Sequence, residues 1–401
     1  MKSGVLYISY DGMLEPLGQS QVLAYLKRLA ENRRIFLLSF EKPEDWADDI
    51  ARHRTAASIA AAGIVWHPLR YHKKPSALAT LWDIVCGFSV GLWLVLRYRL
   101  RIVHARSYVS SVIALLLKRC TGVKYIFDMR GFWADERVDG GLWPKGGRLY
   151  QTAKWFERHF LLNADVVVSL TRSAVDEMRA FPYLKGRMPV FEVITTCADL
   201  ELFRPAPSNG ISPDSAHPFT LGYVGSVGVW YLFDETLRCF QLLRAQVPGA
   251  RLHILNRGGH DYIRDRLKAM GIDKDLVRIE AADQRGVARA MQEMDAGIFF
   301  YNPTYSKIAT APTKLGEFLG CGVPCLSNRG VGDMAAILEN EKVGVAVNSF
   351  DDEALTRAVH DLLELTETEG IKARCRNAAV RCFSLDEGVR SYTSVYKSVE
   401  V

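Results

Sequence analysis

The 401-residue chain lacks the short signatures of several common enzyme classes. No G-x-G-x-x-G follows any of its strand-like runs, which excludes the usual dinucleotide fingerprint. There is no Walker A loop and no G-x-S-x-G elbow. The one Asp-x-Asp, Asp273-Lys274-Asp275, precedes a strand-like run instead of ending one, so it reads as a solvated turn. No residue pattern calls for a metal or another cofactor. Cysteine is sparse: eight residues, scattered. Cys321 and Cys325 lie four apart, but without a second pair or clustered histidine they do not make a zinc site. A chain of this size needs no disulfide framework, and the cysteines read as small hydrophobes in a reducing cytoplasm. The run Val5-Leu6-Tyr7-Ile8-Ser9 leads into Asp11-Gly12, a strand and turn instead of a secretory signal.

What is present is an ordinary globular composition, 49% hydrophobic and 24% charged, in a chain long enough for two cores. The net charge of +6 is uneven: residues 1–200 hold 28 Lys+Arg against 19 Asp+Glu, the remainder 23 against 26. A basic first half suits an anionic substrate or membrane surface. The charge is too dispersed for nucleic acid, and no nucleic-acid motif accompanies it. The apolar run Ala77–Leu96 is about long enough to span a bilayer. It contains Asp83, Ser89 and two glycines, with Lys73, Lys74, Arg97, Arg99 and Arg101 flanking it. It reads as a buried or half-buried helix, with an interfacial helix as the alternative.

Strand and helix signals alternate. Strands are predicted at 5–9, 35–40, 64–68, 102–105, 125–128, 166–170 and 190–194, with helical spacing between them, as at 19–31 and 110–119. Residues 205–217 form a Pro/Gly-rich linker. The pattern then restarts with strands at 220–224, 251–255, 277–280, 296–300, 324–327 and 344–347. The fold class is α/β, two doubly wound halves: residues 1–204 and 218–383. Residues 384–401 add a helix whose destination periodicity does not give, a return to the first domain being one option. Ligands bind at the carboxyl ends of strands in such sheets, so the two halves are expected to face each other across a cleft.

The densest motif is Thr310-Ala311-Pro312-Thr313-Lys314-Leu315-Gly316-Glu317-Phe318-Leu319-Gly320-Cys321-Gly322-Val323-Pro324. Pro312 suits a first helical turn, and Thr310 or Thr313 is placed to cap it. Free N–H groups and the helix dipole there favour an anion. Lys314 adds a point charge, and Glu317 lies on the same helix face. A carboxylate accepts from the two hydroxyls of a ribose, so the block reads as a nucleoside diphosphate site. The competing reading is a surface Lys–Glu pair.

Taken with Tyr223-Val224-Gly225-Ser226, Gly18-Gln19-Ser20-Gln21, Asp128-Met129-Arg130-Gly131-Phe132-Trp133 and Arg329-Gly330-Val331-Gly332-Asp333, that block resembles the retaining glycosyltransferases of family 4. The resemblance covers nearly the whole chain. It implies a GT-B fold of two Rossmann-like domains and a sugar moved from a nucleotide donor with retention, in bacterial polysaccharide assembly. It implies that the donor binds mainly the second domain and the acceptor, a glycan carried on lipid, mainly the first. Domain closure would complete the site. The protein would then work in the cytoplasm, peripherally on the inner face of the membrane.

Residue by residue, the resemblance makes Glu317 the ribose ligand. The family's preceding glutamate falls on Ala309, and its basic pair falls on Ser226 and Leu232. The diphosphate must therefore be met by Lys314, Arg257, Lys307 and Arg130. Gly225, Ser226, Thr313 and Leu315 complete the expected donor site. Gly18, Gln19 and Ser20 form an acceptor-side or phosphate loop. Residues 128–141 read as a functional loop, with Asp128 and Arg130 as the catalytic candidates. His104 reads as a core histidine, and Trp230 and Tyr231 as packing between the domains, with stacking on a base or sugar as the alternative. Two rivals remain: a nucleotide-sugar epimerase, and a non-catalytic binding subunit of the same fold.

Overall fold

A computed structural model describes residues 4–206 and 218–400. Residues 207–217 of the linker lie outside the described residues. The chain forms two compact units, Met1–Thr195 with Leu385–Val401, and Thr196–Ser384. The expected boundary at 204 thus falls inside the second unit, and the C-terminal helix belongs to the first.

Unit 1 is a seven-stranded sheet in the order β3-β2-β1-β4-β5-β6-β7, parallel throughout. Its strands are β1 (Gly4–Ser9), β2 (Arg34–Glu41), β3 (Val65–Arg70), β4 (Ile102–Arg106), β5 (Lys124–Asp128), β6 (Val166–Ser169) and β7 (Val190–Val193). The central strands read as continuous apolar runs because helices cover both faces of a parallel sheet. Val5 to Ile8 and Ile35 to Leu38 are all buried. β1 runs along β2 in one direction and β4 in the other, so the order reverses between β1 and β4, where such sheets open a crevice. Register sets Ser9 beside Arg106 and Arg106 beside Asp128 at the strand ends.

Unit 2 repeats the plan with six parallel strands, β10-β9-β8-β11-β12-β13. They are β8 (Thr220–Val224), β9 (Arg251–Leu255), β10 (Val277–Glu280), β11 (Ala296–Ile298), β12 (Cys325–Asn328) and β13 (Gly344–Val347). Successive residues point to opposite faces, which divides the interior into two cores. Phe299 joins one and Phe300 the other. The order reverses between β8 and β11. Two Rossmann-like domains of α/β class result.

Two local expectations change. Residues 133–139 are helical (Trp133–Asp139), not a loop throughout, because Phe132 and Ala134 are buried and anchor a helical turn. Strand β11 ends at Ile298, two residues early.

Candidate active site

In unit 2 the ends of β8, β9 and β11 and the helix Thr313–Gly320 converge. That helix is held by its small residues. A Cβ on Gly316 would lie 2.7 Å from the Phe383 ring, and one on Gly320 2.8 Å from the Phe203 carbonyl. Phe318 stacks on Phe299, ring centroids 6.0 Å apart. The glycines of the motif therefore serve packing. Pro312 is the N-cap and no threonine side chain caps the helix. The Leu315 side chain is buried in the core and its N–H donates to the Pro312 carbonyl at 3.1 Å. This corrects its expected part in donor contact, since leucine at that turn faces the interior. Thr313 is half-buried at the first helical position.

Lys314 and Glu317 are both half-buried. Among the described residues they form no ion pair within 4 Å, though each acts on the other electrostatically, and Lys314 Nζ has no hydrogen-bond partner. The Lys314 stem is half-buried but its Nζ is sealed. It sits among the rings of Tyr231 (4.4 Å), Phe299 (5.5 Å), Tyr301 (5.5 Å) and Tyr223 (5.7 Å). Ring faces attract a cation but do not replace a hydrogen-bonding anion. Burial pulls the Lys314 ammonium down to about 7, Glu317 partly opposing it. Burial pushes the Glu317 carboxyl up to about 7, Lys314 partly opposing it.

Gly225 follows β8 with φ 127°, a conformation open to glycine. Its N–H donates to the Leu255 carbonyl at 3.0 Å. The neighbouring loop is clamped by Asn256, buried at the end of β9. Its amide donates to the Gly225 carbonyl at 2.8 Å, and its Oδ1 accepts from Gly258 N at 3.0 Å and Gly259 N at 2.5 Å. Sequence reasoning noticed this loop but chose Arg257. The signal for Asn256 was an asparagine between a strand and two glycines, where its side chain organises a turn. Arg257 is exposed beside it. Ser226 is exposed, and its carbonyl accepts from Tyr223 Oη at 2.6 Å. Leu232 packs on the core. Lys307 is buried with Nζ 3.8 Å above the ring of the half-buried Trp230. Ala309 is buried in the same turn, Tyr305–Ala309.

In unit 1 the candidates collect beside the β1/β4 reversal. Asp128 is fully buried. Its Oδ2 accepts from Tyr392 Oη at 2.9 Å and lies 3.5 Å from His104 Nε2, and its Oδ1 is 3.9 Å from Arg130 Nη1. Burial opposes its ionisation, but Arg130, His104 and Arg106 outweigh burial and hold it down to about 2. Burial lowers His104, against the pull of Asp128, and its Nδ1 meets Tyr396 Oη at 2.8 Å. His104 is thus part of a charge network, not a bystander in the core. Arg130 is held at φ 62° and reaches Gln21 Oε1 at 3.4 Å. Arg106, missed in the sequence, contacts Asp11 Oδ2 at 3.3 Å through Nε. Among the described residues, one buried polar atom each of His104, Arg106, Asp128 and Arg130 has no hydrogen-bond partner. Such atoms cost about 1–3 kcal/mol apiece, and here they cluster at the strand ends.

The Gly18-Gln19-Ser20 segment is spent internally. A Cβ at Gly18 would lie 2.0 Å from the Gly12 carbonyl. Gln19 donates to the Met13 carbonyl (2.6 Å) and Thr55 Oγ1 (3.1 Å), and Ser20 to the Pro16 carbonyl (2.9 Å). A π-helical turn, Gln19–Leu23, follows. The segment shapes the β1 loop, and Gln19 and Ser20 are both exposed. Asp273 caps the turn Lys274–Leu276. Among the described residues one His/Asp/Glu group has metal-like spacing, His360, Asp361 and Glu364, all exposed on the helix Asp352–Glu367.

The description "Glycosyl transferase 4-like domain" matches residues 20–192, and "Glycosyl transferases group 1" matches residues 218–365. No curated protein sequence matches the chain. Solved structures share the fold. Sucrose-phosphate synthase of Thermosynechococcus elongatus superposes with TM-score 0.70 at 14% identity, covering 99% of both chains. Anabaena Alr3699/HepE, solved with UDP and glucose, gives TM-score 0.67 at 12% identity over 98% of this chain and 99% of its own. The lipopolysaccharide outer core galactosyltransferase WaaB gives TM-score 0.65 at 12% identity, covering 99% of each. Two glycosyltransferase domains in tandem, each on a parallel sheet with its polar residues at the reversal of strand order, mean that this chain belongs to the glycosyltransferases of GT-B fold.

Proposed function

We propose that the protein transfers a sugar with retention from a uridine diphosphate donor to a lipid-linked glycan in surface polysaccharide assembly, on the cytoplasmic side and without a metal. The observation that carries this reading is the buried Lys314 Nζ, which has no hydrogen-bond partner among the described residues, one helical turn from the half-buried Glu317 carboxyl. A diphosphate supplies the anion that the first lacks, and a ribose diol supplies donors to the second. The uridine choice rests on the UDP bound by the Anabaena protein.

In this mechanism Lys314, Lys307, Arg257 and the open helix end at Thr313 meet the diphosphate. Gly225 keeps the loop close, and Ser226 sits at its exposed edge. The acceptor oxygen attacks the anomeric carbon on the face from which the diphosphate departs. The bond from that carbon to the β-phosphate oxygen breaks, and the departing phosphate takes the acceptor's proton. Preorganised cations stabilise the charge that develops. In unit 1 Arg130 is the catalytic candidate, and Asp128, sealed from solvent, acts as its positioning residue.

The test is nucleotide release from UDP-, GDP- and dTDP-sugars, with and without membrane-lipid extract, with and without EDTA, beside Glu317→Ala. The expected result is lipid-stimulated release from a UDP-sugar, insensitive to EDTA and reduced at least tenfold in the variant. A changed sugar without acceptor identifies an epimerase. Donor binding without turnover identifies a non-catalytic subunit.

A further inference from the structure

The helix Ser76–Tyr98 is apolar on two opposite faces, and unit 1 covers one of them. The covered face carries Asp83, Gly87, Gly91 and Leu94. A Cβ on Gly87 would stand 2.6 Å from Ile113, so the backbone lies tight against the helix Ser107–Thr121. The other face exposes Leu78 (66%), Leu81 (57%), Trp82 (57%), Val85 (47%), Trp93 (51%) and Leu96 (63%). At about 100° per residue these six fall within an arc of about 120°, one continuous stripe.

The charge around the stripe has one sign. Lys73 and Lys74 precede the helix, Arg97 is in its last turn, and Arg99 and Arg101 follow; all five are exposed. The only acidic residue between positions 73 and 101 is Asp83, and it is turned inward. It accepts from Tyr10 Oη at 2.8 Å and the His72 N–H at 3.1 Å, and pairs with His72 Nδ1 at 2.6 Å. An exposed apolar stripe bearing two tryptophans, with cations at both ends and no exposed carboxylate, complements an anionic lipid surface. We propose that this helix docks unit 1 onto an anionic bilayer, lying in the interface instead of crossing it. Crossing would require stripping the opposite face, with its buried Asp83, from the domain. The docking would bring a soluble fold to a lipid-borne acceptor, but the evidence for it is independent of the proposed reaction.

The test is co-sedimentation of the full chain with vesicles of phosphatidylcholine alone or mixed with phosphatidylglycerol, without donor or acceptor. Binding to the anionic vesicles is expected to be at least tenfold tighter and to weaken with salt. Leu81→Glu with Val85→Glu should lower it more than tenfold while the melting temperature stays unchanged, since both side chains are exposed. Lys73→Ala with Lys74→Ala and Arg101→Ala should remove most of the preference for phosphatidylglycerol. No binding to anionic vesicles, or binding indifferent to the glutamate pair, would overturn the proposal. So would a dimer that the glutamate pair dissociates, because a second copy would then cover the stripe. Failed sugar transfer with vesicle binding intact would count against the proposed function alone.

Discussion

A β-carbon on Gly225 would stand 2.5 Å from Nζ of Lys314. The glycine loop and the buried ammonium therefore share one space, and the residue without a side chain lets the lysine reach it. Gly225→Ala should be disruptive twice over: by the contact, and by a φ of 127° that an L side chain rarely adopts. Titration with a UDP-sugar is expected to show affinity weakened at least tenfold, with a stability loss of about 1 kcal/mol or more by thermal melting.

Donor affinity should depend on pH through Lys314. The amine, pulled down to about 7, is charged below that value and neutral above it in the free protein. A diphosphate binds the charged form, so affinity should fall as pH rises from 7 towards 9, by up to about tenfold per unit, with protons taken up on binding. Calorimetry of a UDP-sugar in buffers of different ionisation enthalpy measures both. Lys314→Met should bind more weakly and lose the dependence.

The same lysine should lower the stability of the unliganded protein. Its folded value lies below the usual lysine range, so the penalty is fully present below pH 7 and fades as pH rises towards 10.5. Lys314→Met should therefore raise the melting temperature near pH 7, by about 1–3 kcal/mol of stability. Glu317 has the opposite sense: its contribution is lost as pH rises from 4.5 through about 7.

Asp128 should be a stabilising anion. Held down to about 2 from 3.8, it contributes stability above pH 3.8 that is lost as pH falls through 2. Asp128→Asn leaves Arg130 without its buried counter-charge and should cost about 3–5 kcal/mol at pH 7. Denaturant unfolding from pH 2 to 7 should show the variant's stability converging on wild type at the acid end.

Asn256 should matter to the donor site without touching the donor. Asn256→Ala removes three hydrogen bonds from the Gly225 and Gly258 loops. A loss of about 2–3 kcal/mol in stability is expected, and the donor KM should rise while acceptor KM stays constant. Equal change in both would assign it a structural role only.

Strand positions were legible from period alone. β8, β9, β10 and β13 begin and end where apolar runs meet turn residues, because local pattern and tertiary demand agree there. Lys314 and Glu317 were legible because their spacing puts both on one helix face. Leu315 and Gln19 were not. Motif membership names a residue without saying where its side chain goes: Leu315 is buried in the core, and the exposed Gln19 spends its amide on the Met13 carbonyl and Thr55.

The sequence by itself determined the α/β alternation, the two sheets and the placing of Lys314 and Glu317 on one face of a helix, all of which follow from residue type and short-range spacing. Only the tertiary structure decided their electrostatic condition. Lys314 is depressed by burial, in a site walled by four aromatic rings from three separate segments. Asp128 is sealed by Tyr392, 264 positions away in the chain. The apolar run at 77–96 shows a bare face because its other face is covered by residues that no periodicity identifies. Desolvation and charge coupling depend on distance in space, and sequence order does not specify that distance.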